Sequence, residues 1–149
     1  MPVLAAVGIF AGLASASADS SGDNILGVWH TTDDKSQVQI FKENNQYSGK
    51  ILSLKEPNWP TGSKLGRPGT PKNDRNNPDP GHHAKPIIGL QIVSDFVYDG
   101  KNVWAGGKVY DPENGKTYHG KITMVGTNRL ELRGFIGISL FGRTVVWTR

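Results

Sequence analysis

The sequence predicts an all-β protein in which eight antiparallel strands run up and down and close into a single barrel. Apolar residues recur at every second position after residue 19, turn residues interrupt this alternation at short intervals, and no segment there shows helical periodicity. Closure is expected because eight strands joined mostly by hairpins otherwise leave two unpaired edges. A two-sheet sandwich is the alternative architecture.

The predicted strands are separated by residues that suit tight turns. Asn44-Asn45 and Asp99-Gly100 tolerate the positive φ angles of type I′ hairpins. Residues 111–115 and Thr127-Asn128 mark two further reversals of the chain. We expect the eight strands at Leu26–Thr32, Gln37–Glu43, Gln46–Leu54, Ile87–Val97, Lys101–Tyr110, Lys116–Val125, Arg129–Phe135 and Ser139–Arg149.

Alternation along these strands also predicts the side chains that line the interior. The glycine pair Gly106-Gly107 interrupts the fifth strand and indicates a sharp bend or a close approach of backbone, as barrel corners require. Gly134, Gly137 and Gly142 are expected to act in the same way. The inward-facing set is Val38, Ile40, Ile88, Leu90, Ile92, Tyr118, Ile122, Met124, Leu130 and Leu132.

The first residues indicate export. Residues 3–13 form an apolar run that is too short for a transmembrane helix but typical of the core of a signal peptide. Ala16-Ser17-Ala18 follows as a cleavage triplet, so we expect a signal peptide over residues 1–18 and a barrel domain over 19–149 without a transmembrane segment. No Lys or Arg precedes the run, although export signals normally open with positive charge. A buried N-terminal helix is the alternative.

Composition argues against several classes of function. The chain has 17 Lys and Arg against 13 Asp and Glu, and its net charge is +4, but the basic residues are scattered singly. Nucleic-acid binding is therefore not expected, since it needs clustered bases or interleaved aromatic residues. The chain has no Cys, which excludes disulfides and thiolate metal sites.

The predicted first and last strands carry two motifs that belong together. Gly27-Val28-Trp29 lies on the first strand, and Arg149 ends the last one. This pair resembles the lipocalin and calycin signature, in which an arginine from the end of the barrel covers the tryptophan of a Gly-x-Trp motif. Such an arginine plugs the barrel, because a planar guanidinium stacks on the indole and shuts one end against water. The resemblance thus assigns Gly27, Trp29 and Arg149 a structural role.

A longer series of motifs resembles the bacterial domain-of-unknown-function family 2147. The resemblance implies a secreted or periplasmic lipocalin-like barrel in a Gram-negative bacterium, and it carries no settled biochemical activity. Its motifs are Gly27-x-Trp29, Gly49-x-Ile51, Asp74-x-x-Asn77-Pro78, Pro86-x-x-Gly89-Leu90, Trp104-x-Gly106-Gly107, Asp111-Pro112-x-x-Gly115-x-x-Tyr118, Leu132-Arg133-Gly134 and Phe141-Gly142-Arg143-Thr144 with Trp147.

The long irregular segment from Lys55 to Lys85 is expected to form a lid over the barrel. Within it Asp74, Asn77 and Pro78 bring together oxygen atoms that a calcium ion could use. Asn, Asp and Pro at this density are also what capped turns require, and we favour that interpretation. His82-His83 is the one paired imidazole site, but adjacent side chains in an extended loop point to opposite sides. We therefore expect surface histidines there, and no metal or other cofactor.

No sequence feature supports catalysis. The serines stand in no Gly-x-Ser-x-Gly elbow, and the carboxylates Glu43, Glu56, Asp95 and Glu131 are better explained as surface groups on strands. The chain is therefore not expected to be an enzyme.

The candidate ligand-binding residues are aromatic and cationic. Trp104, Tyr118, Phe141 and Trp147 are expected to face inward, where they either line a ligand cavity or fill the core. If Arg133 or Arg143 also points inward, an anionic head group such as a fatty-acid carboxylate would suit it.

The favoured hypothesis for function is an exported barrel that binds a small, partly apolar, lipid-like molecule. The alternative is an interaction module of the cell envelope with a packed core. The sequence does not predict an oligomeric state.

Overall fold

A computed structural model of the protein describes residues 22–135 and 143–149. In these residues eight antiparallel strands form a closed barrel in which each strand pairs with the next and the last pairs with the first. Short 3₁₀ turns cover Asp23–Ile25, Thr32–Asp34 and Pro80–His82. The strands are β1 Gly27–His30, β2 Ser36–Glu43, β3 Gln46–Leu54, β4 Gln91–Gly100, β5 Val103–Asp111, β6 Lys116–Val125, β7 Arg129–Phe135 and β8 Arg143–Thr148.

The predicted fold class is confirmed, and the bounds of β3, β6 and β7 agree with the sequence to the residue. The predicted signal peptide and the glycines Gly137 and Gly142 lie outside the described residues. So does the first part of the predicted eighth strand, residues 139–142.

The start of β4 differs from the prediction. Ile87 was expected to open the strand, with Ile88 facing the interior, but Ile88 is 46% exposed and Ile87 is buried. The reason is a turn over residues 87–90, in which the Leu90 N–H donates to the Ile87 carbonyl at 3.0 Å and Gly89 has a φ of 93°. The expectation that Ile88 lines the interior is therefore wrong, and β4 begins at Gln91.

The hairpin between β4 and β5 turns two residues later than predicted. Lys101 and Asn102 occupy the turn with φ angles of 52° and 60°, and Gly100 pairs with Val103. The register is set by Tyr98, which pairs with Trp104 across the hairpin with ring centroids 4.9 Å apart. The predicted Asp99-Gly100 turn is therefore wrong, whereas the predicted turn at Asn44-Asn45 has the expected positive φ angles.

A row of glycines crosses the inner surface of β5, β6 and β7. Gly107 pairs with Gly120, and Gly120 pairs with Gly134. The Phe96 ring lies against the first two, so that a Cβ at Gly107 or Gly120 would overlap it. Gly106 forms the predicted bend, as a bulge with a φ of 76°. The glycines therefore give a fully buried phenylalanine the room to cross the middle of the barrel.

One end of the barrel is closed by Trp29 and Arg149. Trp29 is fully buried and its Nε1–H donates to the Ile25 carbonyl at 2.8 Å. The guanidinium carbon of Arg149 lies 4.2 Å from the centroid of the Trp29 ring. The same guanidinium donates to three backbone carbonyls, those of Asn24 at 2.9 Å, Thr127 at 3.0 Å and Leu26 at 3.2 Å. This end of the barrel is therefore shut by side-chain contacts between the two ends of the domain.

Replacing Trp29 by Ala should lower the free energy of unfolding by about 3 to 5 kcal/mol, since truncation of a large buried aromatic side chain leaves a cavity. Urea unfolding followed by circular dichroism measures the change. Val28→Ala on the same strand is the matched control, because Val28 is 39% exposed and its truncation should cost little. Equal stability of the two variants would contradict a structural role for the plug.

Candidate functional site

An open cavity of about 1000 Å³ occupies the end of the barrel opposite the plug. The connections between β1 and β2, β3 and β4, and β5 and β6 surround its mouth. Its apolar wall is formed by the strand segments farthest from the plug and by the lid. The apolar lining residues are Ile51, Leu54, Trp59, Leu65, Ile87, Ile92, Val109, Leu132, Val145 and Trp147.

Three of the predicted ligand-binding residues line this cavity. Tyr118, Trp147 and Arg143 all contribute to its wall. Arg143 pairs with Gly134 and alternates with Val145 and Trp147, both of which also line the cavity, so it lies on the inward face of β8. Phe141 lies outside the described residues.

The other two predicted ligand-binding residues lie elsewhere. Arg133 alternates with Leu132, which lines the cavity, and pairs with Lys121, so it takes an outward position on β7. Trp104 is fully buried in the closed half of the barrel, where it packs against Tyr98 and meets the Tyr47 ring edge-on at 6.3 Å. The structure thus gives Trp104 contacts of a core residue, outside the cavity.

Sequence reasoning missed the aromatic residues that the lid and β5 bring to the site. Trp59 and Leu65 form the apolar underside of the lid, and Tyr110 lines the cavity beside the lid. Trp59 lies in a proline-rich segment without alternation, so periodicity could not assign it a direction. A large aromatic residue within a predicted lid is the one signal that could have singled it out.

The lid is folded onto itself and onto the barrel. Every residue of the connection between β3 and β4 is described, and it holds two isolated bridges, Asn58 with Pro71 and Asn73 with Pro86. The Lys72 N–H donates to the Pro57 carbonyl at 2.9 Å, and the Trp59 N–H donates to the Thr70 carbonyl at the same distance. The first half of the lid is thus a loop whose start and end are joined by backbone hydrogen bonds.

Asp74 attaches the second half of the lid to the barrel. Its side chain is fully buried, and it accepts a hydrogen bond from the Tyr110 hydroxyl at 2.7 Å and one from the Asn77 side-chain amide at 2.9 Å. The Asp74 N–H donates to the Lys85 carbonyl at 2.8 Å. The motif Asp74-x-x-Asn77-Pro78 therefore forms a turn. Both oxygens of the Asp74 carboxyl group accept hydrogen bonds there, and the one from Tyr110 attaches the lid to β5.

Asn76 makes a second attachment, to the turn between β5 and β6. Its side-chain amide donates to the carbonyls of Pro112 at 3.1 Å and Glu113 at 3.0 Å. Gly115 lies so close to the Asn76 carbonyl that a Cβ there would overlap it, and its φ is 71°. The pattern Asp111-Pro112-x-x-Gly115 thus shapes the surface on which the lid rests.

The two adjacent histidines of the lid contact different parts of it. His83 Nε2 lies 2.7 Å from the Asn77 carbonyl oxygen, and His82 Nε2 lies 3.3 Å from the Asp79 carboxylate. Within residues 22–135 and 143–149, no three His, Cys, Asp or Glu side chains are grouped so that they could hold a metal ion.

Charged side chains surround the mouth of the cavity. Among the residues that the structure describes, none of these groups takes part in an ion pair. The site thus has an apolar wall beneath a rim that carries charges of both signs. The charged lining residues are Asp33, Lys35, Lys55, Glu56, Lys72, Asp111, Glu113 and Arg143.

Comparison with known proteins finds one matching bacterial family and a similar solved structure. Residues 27–149 match the family model described as "Uncharacterized protein conserved in bacteria (DUF2147)". The chain is also similar to a solved structure, that of HP1028 from Helicobacter pylori, a protein described as belonging to the lipocalin family. The two share 26% identity and a TM-score of 0.69, over 83% of this chain and 81% of that one. A search of curated proteins finds no match.

In the described part of the chain, no helix has the length and apolar character needed to cross a membrane.

Replacing Tyr110 by Phe should loosen the lid, because the buried Asp74 side chain loses a hydrogen-bond donor at a cost of about 1 to 3 kcal/mol. Hydrogen exchange of the lid amides and urea unfolding measure the effect. Tyr118→Phe is the control, since its hydroxyl accepts an exposed hydrogen bond from Asn114 at 3.0 Å. Unchanged lid exchange in the Tyr110 variant would show that the Asp74 contact does not hold the lid.

Stability should fall at alkaline pH. Burial raises the pKa of Tyr47 to about 12, and the hydrogen bond to Asp23 adds to the rise. Burial, followed by the hydrogen bond to Asp74, also raises the pKa of Tyr110. Both phenols ionise more readily in the unfolded chain, near pH 10, so their stabilisation is complete below about pH 10 and is lost as the pH rises toward the folded values.

Urea midpoints at about pH 9 and pH 11 measure this loss. The double variant Tyr47→Phe/Tyr110→Phe should lose less stability across that interval than the parent protein. An equal loss in both proteins would assign the effect to other groups.

Proposed function

Because the chain belongs to the DUF2147 family and folds as a closed lipocalin-like barrel, we propose that it is an exported protein that binds a partly apolar, lipid-like small molecule and does not transform it. The fold supports small-molecule binding in general. The observation that carries the proposal of a lipid-like ligand is the cavity of about 1000 Å³ beneath the lid, with an apolar wall and a charged mouth.

The size and lining of the cavity support a ligand with an alkyl portion. Ligand sites of proteins measure roughly 300 to 1000 Å³ and are mostly apolar with a few polar groups. Each methylene group that leaves water contributes about 0.8 kcal/mol, so a chain of about ten carbons gains enough to offset the loss of its freedom. The walls formed by Leu132, Val145 and Trp147 offer such a chain a continuous apolar surface.

The polar groups of the cavity support binding without catalysis. The hydroxyls of Thr31 and Ser36, both in the lining, contact each other at 3.0 Å. None of the described residues that line the cavity is a histidine, so these hydroxyls have no imidazole base beside them.

The alternative, an interaction module of the cell envelope, would need a packed interior and a continuous apolar patch outside. The large cavity favours the carrier over this module.

Export is the second component of the proposal and rests on the apolar run and the Ala16-Ser17-Ala18 triplet. We place the mature protein in the periplasm or outside a Gram-negative cell. Expression of the full chain in such a host should yield a protein that begins at Asp19, as measured by N-terminal sequencing of the periplasmic and medium fractions. Recovery of uncleaved protein in the cytoplasm alone would contradict export.

The cavity should retain a small molecule. Native mass spectrometry of protein purified from its own host is expected to show an added mass that organic extraction removes. With delipidated protein, dodecanoate should change the tryptophan emission, because Trp59 and Trp147 line the cavity.

Val145→Phe fills part of the cavity and should weaken dodecanoate binding about tenfold or more. Val146→Phe is the matched control, because it lies at the next, outward position of β8. The absence of both retained mass and dodecanoate binding would overturn the carrier proposal.

A further inference from the structure

We propose that the cavity selects amphiphiles with an anionic head group and that Arg143 binds this group at the mouth. The inference rests on the proposed carrier function and names the chemical class of its ligand: an alkyl chain that ends in a carboxylate, phosphate or sulfate.

The position of Arg143 distinguishes it from the other charges of the rim. It continues the inward-facing series of β8 above Val145 and Trp147, so its side chain lies where the apolar wall meets solvent. An alkyl chain that lies against Trp147 and Val145 would therefore present its terminal group to the guanidinium.

The surroundings of Arg143 leave its guanidinium open to a ligand on the solvent side. The residue opposite it on β7 is Gly134, against which the Tyr118 side chain packs, and Arg143 itself is exposed at the mouth. In the part of the chain that the structure describes, no carboxylate lies within ion-pair distance of Arg143. A guanidinium offers a planar fork of donors that matches the oxygens of a carboxylate or phosphate. The two oxygens of an anionic head group can thus accept hydrogen bonds from Arg143 in place of the carboxylate that the described residues do not supply.

The acidic residues of the lining do not offer an equivalent site for a cationic head group. Asp111 also stands at the end of a strand, but its carboxylate accepts a hydrogen bond from the Glu113 N–H at 2.9 Å and so belongs to its own turn. Asp33 and Glu56 lie on the connections outside the strands. Three lysines, Lys35, Lys55 and Lys72, also lie on these connections, and the acidic and basic residues of the lining balance. Among the basic residues that the structure describes in the lining, Arg143 is the one that stands on a strand.

Head-group selectivity tests this proposal. Titration of the delipidated mature protein with dodecanoate, dodecyl phosphate, dodecanol and dodecyltrimethylammonium, each below its micellar concentration, compares four head groups on one alkyl chain. Isothermal calorimetry should show about tenfold tighter binding of the two anions than of dodecanol, and the weakest binding for the cation. The preference should shrink at high salt, since a partly exposed ion pair is screened.

Two variants assign the preference to Arg143. Arg143→Gln should remove the difference between dodecanoate and dodecanol, and Arg143→Lys should restore part of it. Lys121→Gln removes the same charge from an outward, exposed position and should leave the preference intact. Thermal unfolding checks that each variant is folded.

The outcomes separate the two proposals. Equal binding of dodecanol and dodecanoate by the parent protein, or an unchanged preference in Arg143→Gln, would overturn the anionic head group and leave the carrier in place. Failure to bind any of the four probes would overturn both. A preference for dodecyl phosphate over dodecanoate would point to a phospholipid-derived ligand, and the reverse order to a free fatty acid.

Discussion

The contact between Trp29 and Arg149 is the constraint on which the rest of the structure depends. The first and last strands share one paired position, His30 with Thr148, so backbone hydrogen bonds contribute little to closure. Arg149 compensates by covering the indole and by donating to three carbonyls on other segments. Without this contact the sheet has two free edges and its interior opens to water. Both the core and the cavity exist because the first and last strands meet there.

The barrel has one half that is packed with side chains and one half that holds the cavity. The glycine row lets Phe96 cross the middle of the barrel, and below it Trp104, Tyr98 and Tyr47 fill the closed half. On the lid side the cavity wall combines aliphatic residues such as Val145 with aromatic residues such as Tyr118 and Trp147, and these side chains do not fill the interior. An eight-stranded barrel is wide enough for either outcome. The buried ring cluster fills the plug side, and the cavity lies on the lid side.

Alternation of apolar residues and the turn residues predicted the barrel and three strands to the residue, and the resemblance to the lipocalin signature predicted the contact between Trp29 and Arg149. It failed at Ile88 because a turn stabilised by Gly89 interrupts the apparent alternation, and at Asp99-Gly100 because the packing of Tyr98 on Trp104 decides the register. The lid was predicted as a segment, but its conformation depends on contacts such as that between Asp74 and Tyr110, which are 36 positions apart. Such contacts leave no periodic signal in the sequence. The prediction therefore included part of the cavity wall and missed the lid residues Trp59 and Leu65 that cover the cavity.

The two halves of the lid differ in how they are held, and this difference bears on ligand exchange. The second half is attached to β5 and to the turn that follows it, through Asp74 and Asn76. The first half, which carries Trp59 and Leu65 over the cavity, has hydrogen bonds that run mainly within the lid itself. Segments with few bonds to the rest of a protein open at lower cost than those with many. We therefore infer that the apolar roof opens more readily than the polar attachment, which would let the proposed ligand enter without disturbing the closed half of the barrel.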